Sequence, residues 1–297
     1  MTFAAVIVLH ESRAELALLL DSLQEPAPRL VVVDTGRDDG AAQLARDHGA
    51  EVIERRDNPG FGAASNVGLE RVTEAVTVLL NPDIIVHDGA LAELARRAHE
   101  TPDALHAPRL LNTDGSVQRS AHPLPGTLGA FLPALVPPSM LPRPVRERVE
   151  PFRATSPRTV GWVIAACLAA ETRTLRRLGP FDSRIHLFAE DMDLCLRARA
   201  AGSPTILHPD LRLTHTGGHS VLREGEPFDL LARRRQAVIE ATLGRKARDR
   251  DDAAQALTFA TRALVKRPNT RERAQLAALN RSGWAVFVKK KKAQLKQ

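Results

Sequence analysis

Through the first hundred residues, short apolar runs rich in β-branched side chains alternate with segments whose apolar positions recur at helical spacing. Phe3–Leu9 reads as a buried strand, and Arg13–Leu23 carries its apolar residues on one helical face. Arg29–Asp34, around Leu30-Val31-Val32-Val33, predicts a second buried strand, and Asp39–His48 a helix. Glu51–Glu54 predicts a short strand, Gly62–Val72 a helix, Val76–Leu80 a fourth strand and Leu91–Ala98 another helix. Strands separated by helices in this way make βαβ units and a parallel sheet. Right-handed crossovers bring the strand C-termini to one sheet edge. His10, Asp34 and Asp83, each just past a strand, should therefore converge on one crevice.

The pattern then changes. Prolines crowd the stretch from Pro123 to Pro157, which reads as a surface loop or lid. Regularity resumes over Thr159–Ala170, followed by a short helix to Leu178 and a turn at Gly179-Pro180-Phe181-Asp182. Asp191–Ala201 predicts a helix stopped by Gly202, and Pro227–Leu243, Asp252–Lys266 and Arg271–Val288 predict three more. The organisation expected is an α/β domain over 1–222, with the 123–157 loop inside it, and a helical basic extension over 223–297.

Composition narrows the class. At 297 residues and 43% hydrophobic, the chain can bury a full core. Its two cysteines, Cys167 and Cys195, give no disulfide framework and fit a reducing compartment. The opening strand lacks the basic start of a signal peptide, and no window approaches a membrane span. Charge is uneven: residues 245–297 carry 15 Lys+Arg against 4 Asp+Glu, and the remainder 27 against 31. Such a tail suits an anionic lipid surface, with a merely solvated tail as the alternative. Nucleic acid is not expected, because aromatics are 4%, tyrosine is absent and no helix-turn-helix, RRM or zinc-finger pattern occurs.

Five places could carry chemistry. Asp34 could bind ribose hydroxyls or a base edge, or merely form a turn capping the next helix. Asn58-Pro59-Gly60-Phe61-Gly62-Ala63-Ala64-Ser65-Asn66 opens a helix with small residues, which suits close approach of a phosphate or tight helix–sheet packing equally well. Asp83, at the end of Asn81-Pro82-Asp83, offers an oxygen ligand for Mg²⁺ or Mn²⁺, or a cap for a helix near Asp88. Glu190, Asp191 and Asp193 crowd three carboxylates together, which raises a carboxyl toward a working base and also complements a helix dipole. His215, in His215-Thr216-Gly217-Gly218-His219, could ligate a metal or touch a diphosphate, and His219 could take the same role. Neither a nucleophile elbow, a zincin motif, Cys-x-x-Cys nor a P-loop is present.

Taken in order, these segments resemble glycosyltransferase family 2, in its bacterial rhamnosyltransferase-like branch. The matching segments are Val31–Asp34, Asn58–Gly62 with Asn66, Leu79–Asp83, Pro108-Arg109-Leu110-Leu111-Asn112-Thr113-Asp114-Gly115-Ser116, Gly179–Asp182, Phe188–Arg197 and His215–Gly218. The resemblance spans about residues 3–220. It implies a GT-A fold, a Rossmann-like mostly parallel sheet flanked by helices, with a nucleotide-sugar donor, a divalent metal (Mg²⁺ or Mn²⁺) and inversion at the anomeric carbon. On that footing His10, Asp34, Gly60, Asn66 and Asn81 would line the nucleotide-sugar pocket. Asp83 and His215 would hold the metal, with Asp191 as base beside Glu190.

Three departures stand out. His10-Glu11-Ser12 replaces an Asn-Tyr-Asn run, and Thr35-Gly36-Arg37 replaces an Asn-Ala-Ser-like run. Ala165-Ala166 takes the place of a Ser-Gly pair. The branch further implies L-rhamnose from dTDP-rhamnose, a polyprenyl-diphosphate-linked or polysaccharide acceptor of the cell envelope, and a cytoplasmic protein peripheral to the inner membrane face. The alternative is a catalytically silent protein of the same fold whose tail recruits partners at the membrane, motivated by His10-Glu11-Ser12. A sugar nucleotidyltransferase lacks its expected basic Gly-rich loop here.

Overall fold

In a computed structural model, residues 2–217, 227–265 and 271–281 are described. Two compact units emerge, Met1–His122 with Glu150–Gly217, and Pro123–Val149 with Gly218–Gln297.

The first unit is built on strand β1 (Phe3–Leu9), all seven residues of which are buried. Helix α1 (Arg13–Ser22) leads to β2 (Arg29–Asp34), α2 (Ala41–Asp47), β3 (Glu51–Glu54), α3 (Phe61–Glu70) and β4 (Val76–Leu80). A short β5 (Ile84–Val86), helix α4 (Ala90–Glu100) and β6 (Leu105–Leu111) follow. Strands β1 to β4 pair in parallel, as the alternating pattern predicts. Leu9 stands opposite Asp34 and Ile7 opposite Leu80, so the ends of three strands reach one edge in register. Helix α3 lies close on this sheet because residue 68 is glycine. A Cβ there would sit 2.5 Å from Val6 Cγ1.

Beyond β4 the sheet is mixed. After β7 (Ala121–His122) the chain passes through α5 (Leu132–Leu135) and α6 (Arg143–Val149) of the second unit. It returns as β8 (Arg158–Val160), β9 (Trp162–Val163), β10 (Cys167–Glu171), α7 (Thr172–Leu178), α8 (Glu190–Ala200) and β11 (Thr205–His215). The order is β3-β2-β1-β4-β10-β6-β11-β5, with β8 alongside β11. Strand β10 runs antiparallel to β4 and β6 because it arrives from an excursion rather than a helical crossover. Strands β5 and β8 run antiparallel to β11. The first hundred residues thus hold a strand, β5, that their pattern does not announce.

In the second unit, helices Phe228–Leu243 and Arg245–Val265 meet at Gly244 and are joined by a bidentate Arg235–Asp251 pair at 2.8 Å. The later helix starts earlier than the expected Asp252. Residues 271–281 are helical, and the rest of the predicted Arg271–Val288 helix lies outside the described residues. The proline-rich segment is not a featureless loop. It forms short helical turns at Leu128–Phe131, Leu132–Leu135 and Pro138–Met140, and the first two pack on helix Arg245–Val265.

Candidate active site

The sheet edge is where the chemistry collects. Asn81-Pro82-Asp83 leaves β4 and enters β5 directly, and β5 pairs with the end of β11 so that Ile84 opposes His215. The Thr216 amide donates to the Asp83 carbonyl at 3.0 Å, closing the same junction. His215 Nε2 consequently lies 3.3 Å from Asp83 Oδ1. Asp83 does not cap a helix: α4 starts at Ala90, behind Gly89.

Gln118 fixes the orientation of His215. Its Oε1 accepts from His215 Nδ1 at 2.9 Å, while its Nε2 donates to Asn112 Oδ1 at 3.2 Å. Asn112 in turn heads the Asn112–Ser116 turn, where Asn112 Nδ2 reaches Ser116 Oγ at 2.8 Å and the Ser116 amide reaches Asp114 Oδ1 at 2.9 Å. An amide oxygen can only accept, so His215 Nδ1 carries a proton and the ring turns Nε2 to Asp83. An imidazole nitrogen and a carboxylate oxygen turned to one another are two ligand atoms that a cation could share. A second partner of this kind on a ligating histidine is the usual arrangement around bound metals.

Unmet hydrogen-bonding capacity points the same way. Asn81 Oδ1 and Asp83 Oδ1 are buried without a hydrogen bond, which is costly unless a ligand completes them. Burial pushes the Asp83 carboxyl up, but contact with His215 and the backbone amides of Asp83 and Gly217 hold it below the usual range. These donors, carboxylate, amide oxygen and imidazole, suit Mg²⁺ or Mn²⁺. Among the described residues no cluster of three or more His, Cys, Asp or Glu side chains is placed to hold a metal alone. A cation here would need further oxygens, from a bound ligand or water, to complete its shell.

Asp191 is the second focus. Phe188 and Ala189 precede it with φ of 67° and 70°, and left-handed backbone at two successive non-glycine residues is strain of the kind found at functional sites. Helix α8 then starts at Glu190, with Glu190, Asp191 and Asp193 in its first turn. Desolvation pushes the Asp191 carboxyl up to about 6, against the lowering effect of the Met192 and Ala165 amides. Glu190 is buried beside it. Asp193 is engaged elsewhere. It pairs with Arg197 at 2.7 Å, and Arg197 Nη2 donates to the Pro180 carbonyl at 2.8 Å. Ala166 O accepts from the Asn81 amide at 2.9 Å. The Ala165-Ala166 pair therefore touches both parts of the site through backbone atoms, and the departure from Ser-Gly leaves those contacts intact.

At the other end of the edge, Asp34 accepts from the Gly36 amide at 3.1 Å and from Arg56 Nη1 at 3.0 Å. Burial dominates and raises its pKa, with Gly36 and Arg56 opposing. Arg56 had no sequence motif; its signal is an arginine pair directly after the β3 run. His10 is exposed at the end of β1, with Nδ1 3.4 Å from Thr35 Oγ1. Gly60 has φ 92°, and a Cβ would lie 2.1 Å from the His186 carbonyl, so the loop requires glycine on packing grounds. Asn66, expected in the nucleotide pocket, clasps the backbone of Phe181. Its Nδ2 donates to the carbonyl at 2.8 Å and its Oδ1 accepts from the amide at 3.1 Å. His219 lies outside the described residues.

Residues 4–153 match the model of glycosyl transferase family 2. The chain belongs to glycosyltransferase family 2. It is 28% identical over 241 residues to the N-acetylglucosaminyl-diphospho-decaprenol L-rhamnosyltransferase of Mycobacterium tuberculosis, spanning 74% of this chain and 77% of that protein. Among solved structures, the mannosyltransferase PcManGT from Pyrobaculum calidifontis in complex with GDP-Man and Mn²⁺ aligns at TM-score 0.57 and 14% identity, over 96% of this chain and 80% of that one. GalNAc-T7 with UDP, GalNAc and Mn²⁺ aligns at TM-score 0.57 and 17% identity over 81% of this chain, which spans 48% of that longer one. This glycosyltransferase thus has the GT-A-like sheet implied by its motifs, and Mn²⁺ accompanies both structural neighbours.

Proposed function

We propose that the chain is an inverting, metal-dependent glycosyltransferase that moves L-rhamnose from dTDP-rhamnose to a polyprenyl-diphosphate-linked saccharide of the cell envelope. The observation that carries the metal-dependent reading is the facing of His215 Nε2 and Asp83 Oδ1 at 3.3 Å, with Gln118 behind the ring. The donor and acceptor rest on the mycobacterial relative.

Asp83 and His215, with Asn81 Oδ1, would hold the cation. When bound it supplies positive charge against the diphosphate leaving group. Asp34 binds the nucleoside through its carboxylate, and Arg56 turns from Asp34 toward the ligand or shares it. Asp191 takes the proton of the acceptor hydroxyl as that oxygen attacks the anomeric carbon opposite the departing diphosphate, which inverts the centre. Holding both substrates in line does the remaining work. Asp83, His215 and Asp191 in place together favour catalysis over a silent scaffold. The enzyme works at the inner membrane face, where its acceptor is anchored and the basic tail adds electrostatic attraction.

The test is transfer itself. The full chain with Mn²⁺, dTDP-rhamnose and a synthetic polyprenyl-diphosphate N-acetylglucosamine should add one deoxyhexose by mass, with the anomeric configuration inverted by NMR. Use of a UDP- or GDP-sugar in preference to dTDP-rhamnose would overturn the donor assignment, and retained configuration would overturn the mechanism.

A further inference from the structure

Residues 123–142 contain no charged side chain, in a protein whose charged fraction is 26%. Prolines break this stretch at Pro123, Pro125, Pro133, Pro137, Pro138 and Pro142, so it cannot be a spanning helix. Among the described residues no helix is long and apolar enough to cross a membrane. Its turns nevertheless leave large apolar side chains in water: Leu128 is 75% exposed, Leu135 68% and Met140 75%. The described residues hold five exposed large hydrophobics in all, and three of them fall within these thirteen positions. Isolated exposed leucines need no explanation, whereas a cluster marks an interaction surface.

Several neighbours in the same unit limit what can cover it. Helix α6 follows directly with Arg143, Arg146 and Arg148. Its one acid, Glu147, is paired with Arg143 at 2.9 Å. The helix against which Leu128–Leu135 packs opens with Arg245 and Lys246, both exposed. An uncharged apolar segment flanked by cations is the composition of segments that lie in a bilayer interface. There the apolar groups enter the acyl boundary and the cations meet anionic headgroups. A protein partner would need matching acids around a hydrophobic centre; an anionic bilayer supplies both at once.

We propose that Leu128, Leu135 and Met140 form a membrane-insertion surface, seated in the interface of an anionic bilayer and oriented by the arginines of α6. The proline-rich segment is then an anchor rather than a lid. The surface stands on exposure and charge alone and needs neither the donor nor the acceptor assigned above, so vesicle binding tests it separately from transfer.

Full-length protein should float with vesicles of phosphatidylcholine and phosphatidylglycerol, and a fraction should stay bound in high salt, where headgroup attraction is screened. The triple variant Leu128→Ser/Leu135→Ser/Met140→Ser changes exposed positions only. It should lose that salt-resistant fraction by about tenfold or more with an unchanged melting temperature. A second measurement uses Met140→Cys carrying an environment-sensitive dye, which is selective because Cys167 and Cys195 are buried. Its emission should shift to the blue on vesicles. Salt-resistant binding equal to wild type in the triple variant, or an unshifted dye on bound protein, overturns the proposal. A dimer in solution that the triple variant dissociates, with vesicle binding untouched, would assign the surface to a second copy instead.

Discussion

Replacing Asp191 by asparagine separates the demands of folding from those of chemistry. Burial lifts this carboxyl from 3.8 to about 6. A shift of about two units at roughly 1.4 kcal/mol each means that keeping Asp191 ionised costs the folded state about 3 kcal/mol. The direction follows from proton binding. The folded protein holds the proton more tightly than the unfolded chain between 3.8 and 6, so this group's contribution to stability falls as pH rises through that window. Above it the full penalty applies. An asparagine side chain has the same shape, keeps an oxygen for the Met192 and Ala165 amides, and carries no charge. At about pH 7.5, Asp191→Asn should therefore be more stable than wild type by about 1–3 kcal/mol, a gain that shrinks toward zero near pH 4. Turnover should drop by about 10²-fold or more. Urea titrations of both proteins at the two pH values, beside initial transfer rates, provide the readout. A variant no more stable than wild type at neutral pH, or one with wild-type turnover, would refute the reasoning. The same carboxyl predicts a wild-type kcat/KM that climbs with pH below about 6 and levels above it.

Other consequences are checked more simply. His208 Nδ1 accepts from Arg97, its Nε2 reaches His106 Nδ1 at 2.9 Å, and burial first, then the His106 and Arg97 charges, lowers its pKa to about 4. Because the unfolded chain takes up this proton near 6.5, the stability tied to it is complete above that pH. About 3 kcal/mol is lost as pH falls toward 4, and His208→Phe should flatten that acid limb in urea midpoints. Asn66→Ala removes both bonds to the Phe181 backbone and should lower stability by about 1–3 kcal/mol. Donor Kd under folding conditions should stay unchanged; a raised Kd at unchanged stability would place Asn66 in the nucleotide pocket. Gln118→Ala frees His215 and should weaken Mn²⁺ affinity by about 10–100-fold in calorimetry.

The sequence told most where local pattern and tertiary need agree. Strands β1, β2 and β4 are short apolar runs, buried on both faces, and their ends could be read to the residue. Strand β6 escaped because Pro108 and Arg109 break its run. β11 escaped because Pro209-Asp210-Leu211 forms a bulge between His208 and Arg212, which shifts its register against β6. Asp83 and Asp191 announced themselves as carboxylates after apolar segments. Gln118 and Arg56 did not, since each acts through a partner distant in sequence, His215 or Asp34. Asn66 did announce itself through its motif, and its side-chain amide also holds the turn at Phe181. The proline-rich stretch was legible as irregular, but which side chains it exposes depends on packing against helix Arg245–Val265.

The central claim is that Asp83 and His215 make donor binding depend on a divalent cation. Calorimetric titration of dTDP-rhamnose into wild type and Asp83→Ala, with Mn²⁺, with Mg²⁺ and with EDTA, addresses it directly. Tight binding by wild type that needs the metal, and weak metal-indifferent binding by the variant, is the expected result. Equal affinity in EDTA and Mn²⁺, or a variant that binds as wild type does, would contradict it.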